Sequence, residues 1–144
     1  MNTLVDKALE YASVRHRGQR DDQGRPYFFA HLIQVYNILN VVTSDEAMLC
    51  AGILHDVVED VGGTSEELER EFSKEVADLV LECTHVGSKE SGRYFPCLHS
   101  KKAVIVKFAD RLSNISRMDD WPGDWQLDYL NESRFWNVAP KDNE

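Results

Sequence analysis

The segment LCAGILHDVVEDVGG, residues 49–63, joins an apolar helical run to a group of ionisable side chains. The group consists of His55, Asp56, Glu59 and Asp60. Residues four apart lie on one face of a helix, so His55 pairs with Glu59 and Asp56 pairs with Asp60. We therefore predict a buried helix that directs one imidazole and three carboxylates into a single cleft.

Apolar residues elsewhere in the chain also recur at helical spacing. Ser44 is a predicted N-cap of the helix that reaches His55, and Thr64 begins a predicted capping box. The segment KKAVIVKFADRLSNISRM, residues 101–118, is predicted to be helical although AVIV alone would suit a strand. A loop or lid is predicted over 87–98, and the last helix over 126–138. The result is an all-α fold, a single compact helical bundle of about six or seven helices over residues 1–144.

Composition excludes several classes of function. The chain has 144 residues, of which 42% are hydrophobic and 28% charged, as in ordinary globular domains. Its net charge of -9 argues against nucleic acid or an anionic membrane as a partner. We expect neither a signal peptide nor a membrane span, because residues 1–19 lack a signal-peptide core and no apolar run approaches about 18 residues. The odd number of cysteines, Cys50, Cys83 and Cys97, predicts reduced thiols and a cytoplasmic location.

The ionisable group has the composition of a metal site. His55 and Asp56 offer a nitrogen and a carboxylate ligand, a mixture that suits Mn, Fe or Zn. Further ligands must come from elsewhere, and His31 and Asp110 are the candidates because each adjoins an apolar helical stretch. Each residue alone has a plainer explanation, such as an ion pair between Asp110 and Arg111. The joint order H…HDxxED…DxxxN favours a functional site.

This order resembles the HD superfamily of metal-dependent phosphohydrolases. HDVVED (55–60) and VKFADRLSNI (106–115) are similar to HDVVED and VKLADRLHNM in the hydrolase domain of the Rel/Spo alarmone enzymes and their stand-alone small relatives. GQRDDQGRPYFFAHLIQV (18–35) and TSEELEREFSKEVADLVLECTHV (64–86) also resemble family motifs. The likeness covers about residues 4–118. It implies an all-α HD domain that uses manganese to remove the 3′-pyrophosphate from guanosine tetra- or pentaphosphate (ppGpp or pppGpp).

The resemblance also implies roles for single residues. The implied metal ligands are His31, His55, Asp56 and Asp110. Glu59 and Asp60 match the acidic pair that orients or activates the attacking water, and Asn114 matches a substrate-side residue. A divalent ion lowers the pKa of bound water and neutralises phosphoryl oxygens, while a nearby carboxylate accepts the proton. Cations would stabilise the phosphoryl charge, and the candidates are Arg20, Lys107 and Arg111.

Two alternative hypotheses stay open. Asp21 and Asp22 stand where the alarmone hydrolases carry Arg-Lys, and Arg20 lies one position early. This difference favours another nucleotide substrate, such as NADPH or a nucleoside phosphate. A second alternative is a non-catalytic nucleotide-binding module without metal, against which the complete ligand set argues.

The aromatic segment WPGDWQLDYLNESRFW, residues 121–136, supports more than one interpretation. Its large rings are Trp121, Trp125, Tyr129 and Trp136. We predict that they cap the core, because large apolar rings contribute strongly to core burial. A pocket for a nucleobase and a contact in a homo-oligomer are the alternatives.

Overall fold

The computed structural model describes residues 3–86, 95–96 and 98–133, and most of them are helical. The α-helices of this part are α1 (Leu4–Arg15), α2 (Ile33–Val42), α3 (Glu46–Leu54), α4 (Val57–Asp60), α5 (Ser65–Glu71), α6 (Lys74–Cys83), α7 (Lys101–Ile115) and α8 (Gly123–Glu132). A π-helical turn, Phe28–Leu32, leads directly into α2. Two short strands, β1 (His85–Val86) and β2 (Phe95–Pro96), pair antiparallel. The all-α prediction is confirmed.

Polar side chains set the helix starts. Thr3 accepts from the backbone N–H of Asp6, whose carboxylate accepts from the Thr3 N–H, which forms a capping box on α1. Thr64 caps α5 by accepting from the Glu67 N–H at 3.1 Å. The reciprocal half of the predicted capping box is not formed, because the Glu67 carboxylate accepts from Tyr11 and Arg15. The prediction that Ser44 caps α3 is wrong by one residue. Asp45 is the N-cap, because its carboxylate accepts from the Met48 N–H at 3.0 Å.

Helix α3 lies at the centre of the core. Every residue from Ala47 to Leu54 is buried, so this helix is enclosed on all sides. It packs against α1, α2, α6 and α7. Each large apolar side chain buried in this way contributes about 1.5–3 kcal/mol. The packing also fixes the position of His55, which follows α3 directly.

Helix α7 forms where the sequence predicted a helix and not a strand. Helix α8 begins at Gly123, three residues before the predicted start at Gln126. Residues 134–138 of that prediction lie outside the described residues, as do 87–94 and 97 of the predicted loop or lid. Within the described ranges, no helix combines the length and apolar character needed to cross a membrane.

Gly52 permits the close approach of α2 and α3. A Cβ at this position would lie 2.3 Å from Leu39 Cδ1 and 3.3 Å from Val35 Cγ1, and both of those side chains are fully buried. We expect Gly52→Ala to lower the free energy of unfolding by about 1–3 kcal/mol in urea denaturation. Gly123→Ala is the matched control, because Gly123 is also helical but has no heavy atom within 4 Å of the new methyl group. Equal stability of the two variants would contradict the packing argument.

Candidate active site

Four ionisable side chains meet where α3 gives way to α4. His55 is the C-cap of α3, and Asp56 has φ -97° and ψ 0°, which interrupts the helix before Val57. His31 comes from the π-helical turn, a feature that often marks functional sites. Asp110 comes from the interior of α7. The interruption allows two consecutive residues, His55 and Asp56, to face the same cluster.

The polar atoms of this cluster lie close together. His31 Nε2 is 3.1 Å from His55 Nε2 and 3.1 Å from Asp110 Oδ1. Asp56 Oδ2 is 3.1 Å from His55 Nε2 and 3.6 Å from His31 Nε2. Ligand atoms that bind one ion at right angles, each about 2.1 Å away, are about 3.0 Å apart. The buried group therefore fits a divalent metal site with nitrogen and carboxylate ligands.

Electrostatic pairing keeps the cluster charged despite its burial. Burial lowers the pKa of His55, but the carboxylates of Asp56 and Asp110 raise it well above its usual value. Burial raises the pKa of Asp110, but Lys107 and His55 lower it well below the usual value. Lys107 Nζ donates to Asp110 Oδ2 at 2.8 Å, and the Tyr27 hydroxyl donates to Asp56 Oδ2. Burial likewise raises the pKa of Asp56, but the charge of His55 outweighs it and lowers this pKa. Both aspartates therefore favour the ionised form that metal binding requires.

Glu59 and Asp60 have partners outside the cluster. Glu59 Oε1 accepts from the backbone N–H of His85 and lies 2.7 Å from its Nδ1. Asp60 Oδ2 accepts from Gln19 Nε2 at 3.2 Å. The prediction of one continuous helical face for the four ionisable groups is wrong, because the helix is interrupted at Asp56.

The two carboxylates of α4 also differ in basicity. Burial raises the pKa of Glu59, but hydrogen bonds from His85 outweigh it and lower the pKa. Burial and the negative charge of Asp56 raise the pKa of Asp60. Asp60 is therefore the readier proton acceptor of the pair, since its conjugate acid is closer to neutral pH.

A cavity of about 520 Å³ adjoins the cluster, a size typical of small-molecule sites. Its lining includes Asp56 and Asp110 of the cluster together with three of the predicted substrate residues, Lys107, Arg111 and Asn114. Arg20, the fourth predicted substrate residue, is not among the described residues that line it. The Arg20 side chain is exposed, and its Nη1 donates to the Gly24 carbonyl at 2.8 Å.

The two acidic residues of the first loop, residues 16–27 between α1 and the π-helical turn, have different environments. The side chain of Asp21 is 3% exposed and accepts from Arg25 Nε at 3.1 Å and from Arg117 Nη1 at 3.2 Å. Asp22 lines the cavity, and its Oδ2 accepts from Trp121 Nε1 at 3.1 Å. Asp21 therefore organises the loop, and only Asp22 lies beside the candidate substrate site.

The aromatic residues of the C-terminal region line the cavity and do not cap the core. Trp121, Trp125 and Tyr129 are all lining residues, and Trp125 is 62% exposed. The rings of Trp121 and Tyr129 pack edge to face with centroids 5.4 Å apart. The prediction of core capping is therefore wrong for these three residues. Trp136 lies outside the described residues.

Sequence analysis missed two residues of the site. Tyr27 and His85 both line the cavity, and each binds an acidic residue, Asp56 and Glu59 respectively. The Pro-Tyr pair of the first loop is shared with the family motif and could have indicated Tyr27. No spacing rule connects His85 with Glu59, 26 residues earlier.

An all-α domain with a buried histidine–aspartate cluster beside a cavity has the architecture of a metal-binding hydrolase. Comparison with known proteins identifies the family. The sequence profile of the HD domain matches residues 8–93, and the chain belongs to this family. The guanosine-3′,5′-bis(diphosphate) 3′-pyrophosphohydrolase MESH1 of Drosophila melanogaster is 34% identical over 148 residues. The match covers 95% of this chain and 82% of that protein.

Longer relatives and a solved structure agree with this assignment. A probable guanosine-3′,5′-bis(diphosphate) 3′-pyrophosphohydrolase of Synechocystis sp. is 34% identical over 128 residues, which cover 81% of this chain and 17% of that protein. The chain thus spans a small part of this longer relative. A solved structure described as a metazoan ortholog of SpoT that hydrolyzes ppGpp has a TM-score of 0.77 and 29% identity. The structural match covers 93% of this chain and 83% of the solved chain.

Proposed function

We propose that this protein is a metal-dependent phosphohydrolase that removes the 3′-pyrophosphate from guanosine 3′,5′-bis(diphosphate) and its pentaphosphate counterpart. The observation that carries the proposal is a single cavity in which the buried histidine–aspartate cluster adjoins Lys107, Arg111 and Asn114. The similarity to MESH1 over nearly the whole chain supports the substrate class. Water adds to the phosphorus of the 3′ group, and the bond to the ribose oxygen breaks. The products are pyrophosphate and the 5′-phosphorylated nucleoside with a free 3′-hydroxyl.

The cluster is the proposed metal site of this reaction. His31, His55, Asp56 and Asp110 would hold the ion, for which we propose manganese. When bound, such an ion lowers the pKa of water and neutralises phosphoryl oxygens. Tyr27 and Lys107 support the ligands by donating to the two carboxylates.

Two cations place positive charge in the cavity of a protein whose net charge is -9. Lys107 and Arg111 are both buried, so solvent screens their charge less than it would on the surface. The guanidinium of Arg111 lies 4.4 Å from the ring centroid of Tyr129, which orients it. Asn114 Nδ2 donates to the Tyr129 hydroxyl at 2.8 Å. We propose that Lys107 and Arg111 bind the phosphate groups of the substrate. Asn114 lines the same cavity and is proposed to contact the substrate.

Glu59 and Asp60 are the proposed proton-handling pair. Both lie on α4, one turn after the His55–Asp56 ligands. His85 bonds Glu59 and also lines the cavity, so it connects this carboxylate with the substrate site. The raised pKa of Asp60 suits a proton acceptor.

A substrate panel tests the proposed function. Manganese-loaded protein is expected to convert guanosine 3′,5′-bis(diphosphate) to pyrophosphate and guanosine diphosphate, and chelation of the ion should stop the reaction. Product formation is followed by ion-exchange chromatography, with NADPH and nucleoside phosphates as competing substrates. Cleavage of NADPH with the guanosine substrate left intact would replace the alarmone assignment by the alternative nucleotide. No hydrolysis of any member and no bound ion would favour a non-catalytic binding module.

The described cysteines agree with a reducing compartment. Cys50 and Cys83 are free and buried, and burial raises the pKa of each thiol to about 12. Protonated, enclosed thiols resist oxidation and do not need an oxidising environment. A cytoplasmic location is therefore part of the proposal.

A further inference from the structure

His31 has two competing neighbours at the nitrogen that faces away from the cluster. Its Nδ1 lies 2.9 Å from Ser113 Oγ and 2.8 Å from Arg117 Nη2. Its Nε2 faces His55 and Asp110. A neutral imidazole carries its proton on one nitrogen only, and the other nitrogen keeps the lone pair that binds a metal. His31 can therefore act as a ligand through Nε2 only when its proton is on Nδ1.

A chain of hydrogen bonds with one direction ends at this nitrogen. Ser116 Oγ donates to the Ser113 carbonyl at 2.7 Å, since its other acceptor, Gln34 Oε1, is 3.4 Å away. The Ser116 oxygen accepts from Gln34 Nε2 at 3.1 Å. Because this bond fixes the amide nitrogen of Gln34 at Ser116, the amide oxygen Oε1 faces Ser113. Ser113 Oγ donates to that oxygen at 2.7 Å. Its lone pair remains available for the Nδ1–H of His31.

Arg117 favours the opposite arrangement. A guanidinium has donors only, so its approach to Nδ1 favours a lone pair on that nitrogen. The proton would then lie on Nε2, where it can donate to Asp110 Oδ1, 3.1 Å away. Arg117 is held in this place because its Nη2 also donates to Asn114 Oδ1 at 2.7 Å and its Nη1 donates to Asp21.

We propose that Gln34 and Ser113 are positioning residues that keep the proton of His31 on Nδ1 and leave Nε2 free for a divalent ion, against the opposing influence of Arg117. The inference rests on the metal site of the proposed function but not on the identity of the substrate. Ser113 is fully buried and Gln34 of α2 is half-buried, so these hydrogen bonds connect a partly exposed side chain with the buried cluster. Contacts of this kind around a ligating histidine fix both its tautomer and its orientation.

Manganese titration of matched variants tests the proposal. Gln34→Met removes the acceptor at nearly constant shape, and Ser113→Ala removes the hydroxyl. Both are expected to weaken Mn²⁺ binding about 10- to 100-fold in calorimetry without nucleotide. Gln34→Glu keeps an acceptor oxygen and should bind Mn²⁺ at least as tightly as the wild type. Gln34 is only half-buried, so we expect its variants to fold. They therefore test the proposal even if Ser113→Ala does not fold.

The tautomer of His31 gives a second measurement that a merely structural role would not change. In ¹⁵N NMR of metal-free protein we expect Nδ1 of His31 to be protonated in the wild type and Nε2 to be protonated in Ser113→Ala. Arg117→Met alone should keep the proton on Nδ1, because Ser113 still accepts it and the opposing donor is gone. Equal Mn²⁺ affinities of Gln34→Met and Gln34→Glu, or a neutral wild-type His31 with its proton on Nε2, would overturn the inference. Absence of Mn²⁺ binding by the wild type would instead contradict the proposed function, and the tautomer would still be measurable.

Discussion

Replacing His55 with alanine is expected to abolish divalent-ion binding and to lower turnover at least about 1,000-fold, because the ion supplies several kcal/mol of stabilisation to the reaction. His55 Nε2 lies 3.1 Å from His31 Nε2 and 3.2 Å from Asp110 Oδ1, so the imidazole is central to the cluster. Its removal takes away one ligand. It also takes away the positive charge that lowers the pKa of Asp56 and Asp110 in the metal-free protein.

His99→Ala is the matched control for this variant. The His99 side chain is exposed, and the hydrogen bond to Glu82 comes from the His99 backbone N–H, which alanine keeps. We expect the His99→Ala protein to bind one Mn²⁺ with wild-type affinity. Elemental analysis and titration measure the ion, and circular dichroism verifies that His55→Ala is folded. A folded His55→Ala that keeps stoichiometric Mn²⁺ and normal turnover would show that the cluster is not the metal site.

The sequence predicted helix α3 well but not its end. An apolar run with helical spacing shows that a segment is helical and buried, and that part of the prediction is confirmed. The interruption at His55 and Asp56 has no such pattern, since neither residue is a strong helix breaker. The side chains that surround the interruption, His31 and Asp110, are distant in sequence and come together only in the folded protein. Local periodicity therefore located the four ionisable residues but not the break in the helix at Asp56.

The first loop shows a second limit of sequence analysis. Asp21 and Asp22 are both aspartates and are adjacent, so position alone predicts the same relevance to substrate choice for each. Arg117, 96 residues after Asp21, binds its carboxylate and removes it from the cavity. Trp121 binds Asp22, which lines the cavity. Only tertiary contacts distinguish these two side chains, so we expect any effect of the pair on substrate choice to come from Asp22.

Glu59→Gln is expected to keep the divalent ion and to lose about 100- to 10,000-fold in turnover, the usual contribution of a positioned acid or base. The substitution preserves the shape of the side chain and an oxygen that can accept from the backbone N–H of His85. It removes the negative charge, and with it the ability to take a proton or to orient water through a charged acceptor. Ion binding should persist, because the metal-fitting group consists of His31, His55 and Asp110 together with the adjoining Asp56.

The comparison that isolates this role uses two further variants. Glu66→Gln removes the same charge from an exposed position on α5 and should leave turnover unchanged. Asp60→Asn removes the neighbouring carboxylate, whose raised pKa makes it the better proton acceptor. If Asp60 is the acceptor and Glu59 orients the water, Asp60→Asn will cost more turnover than Glu59→Gln at equal Mn²⁺ affinity. Wild-type turnover by both variants would refute the separate roles assigned to Glu59 and Asp60, because neither carboxylate would then be required by itself.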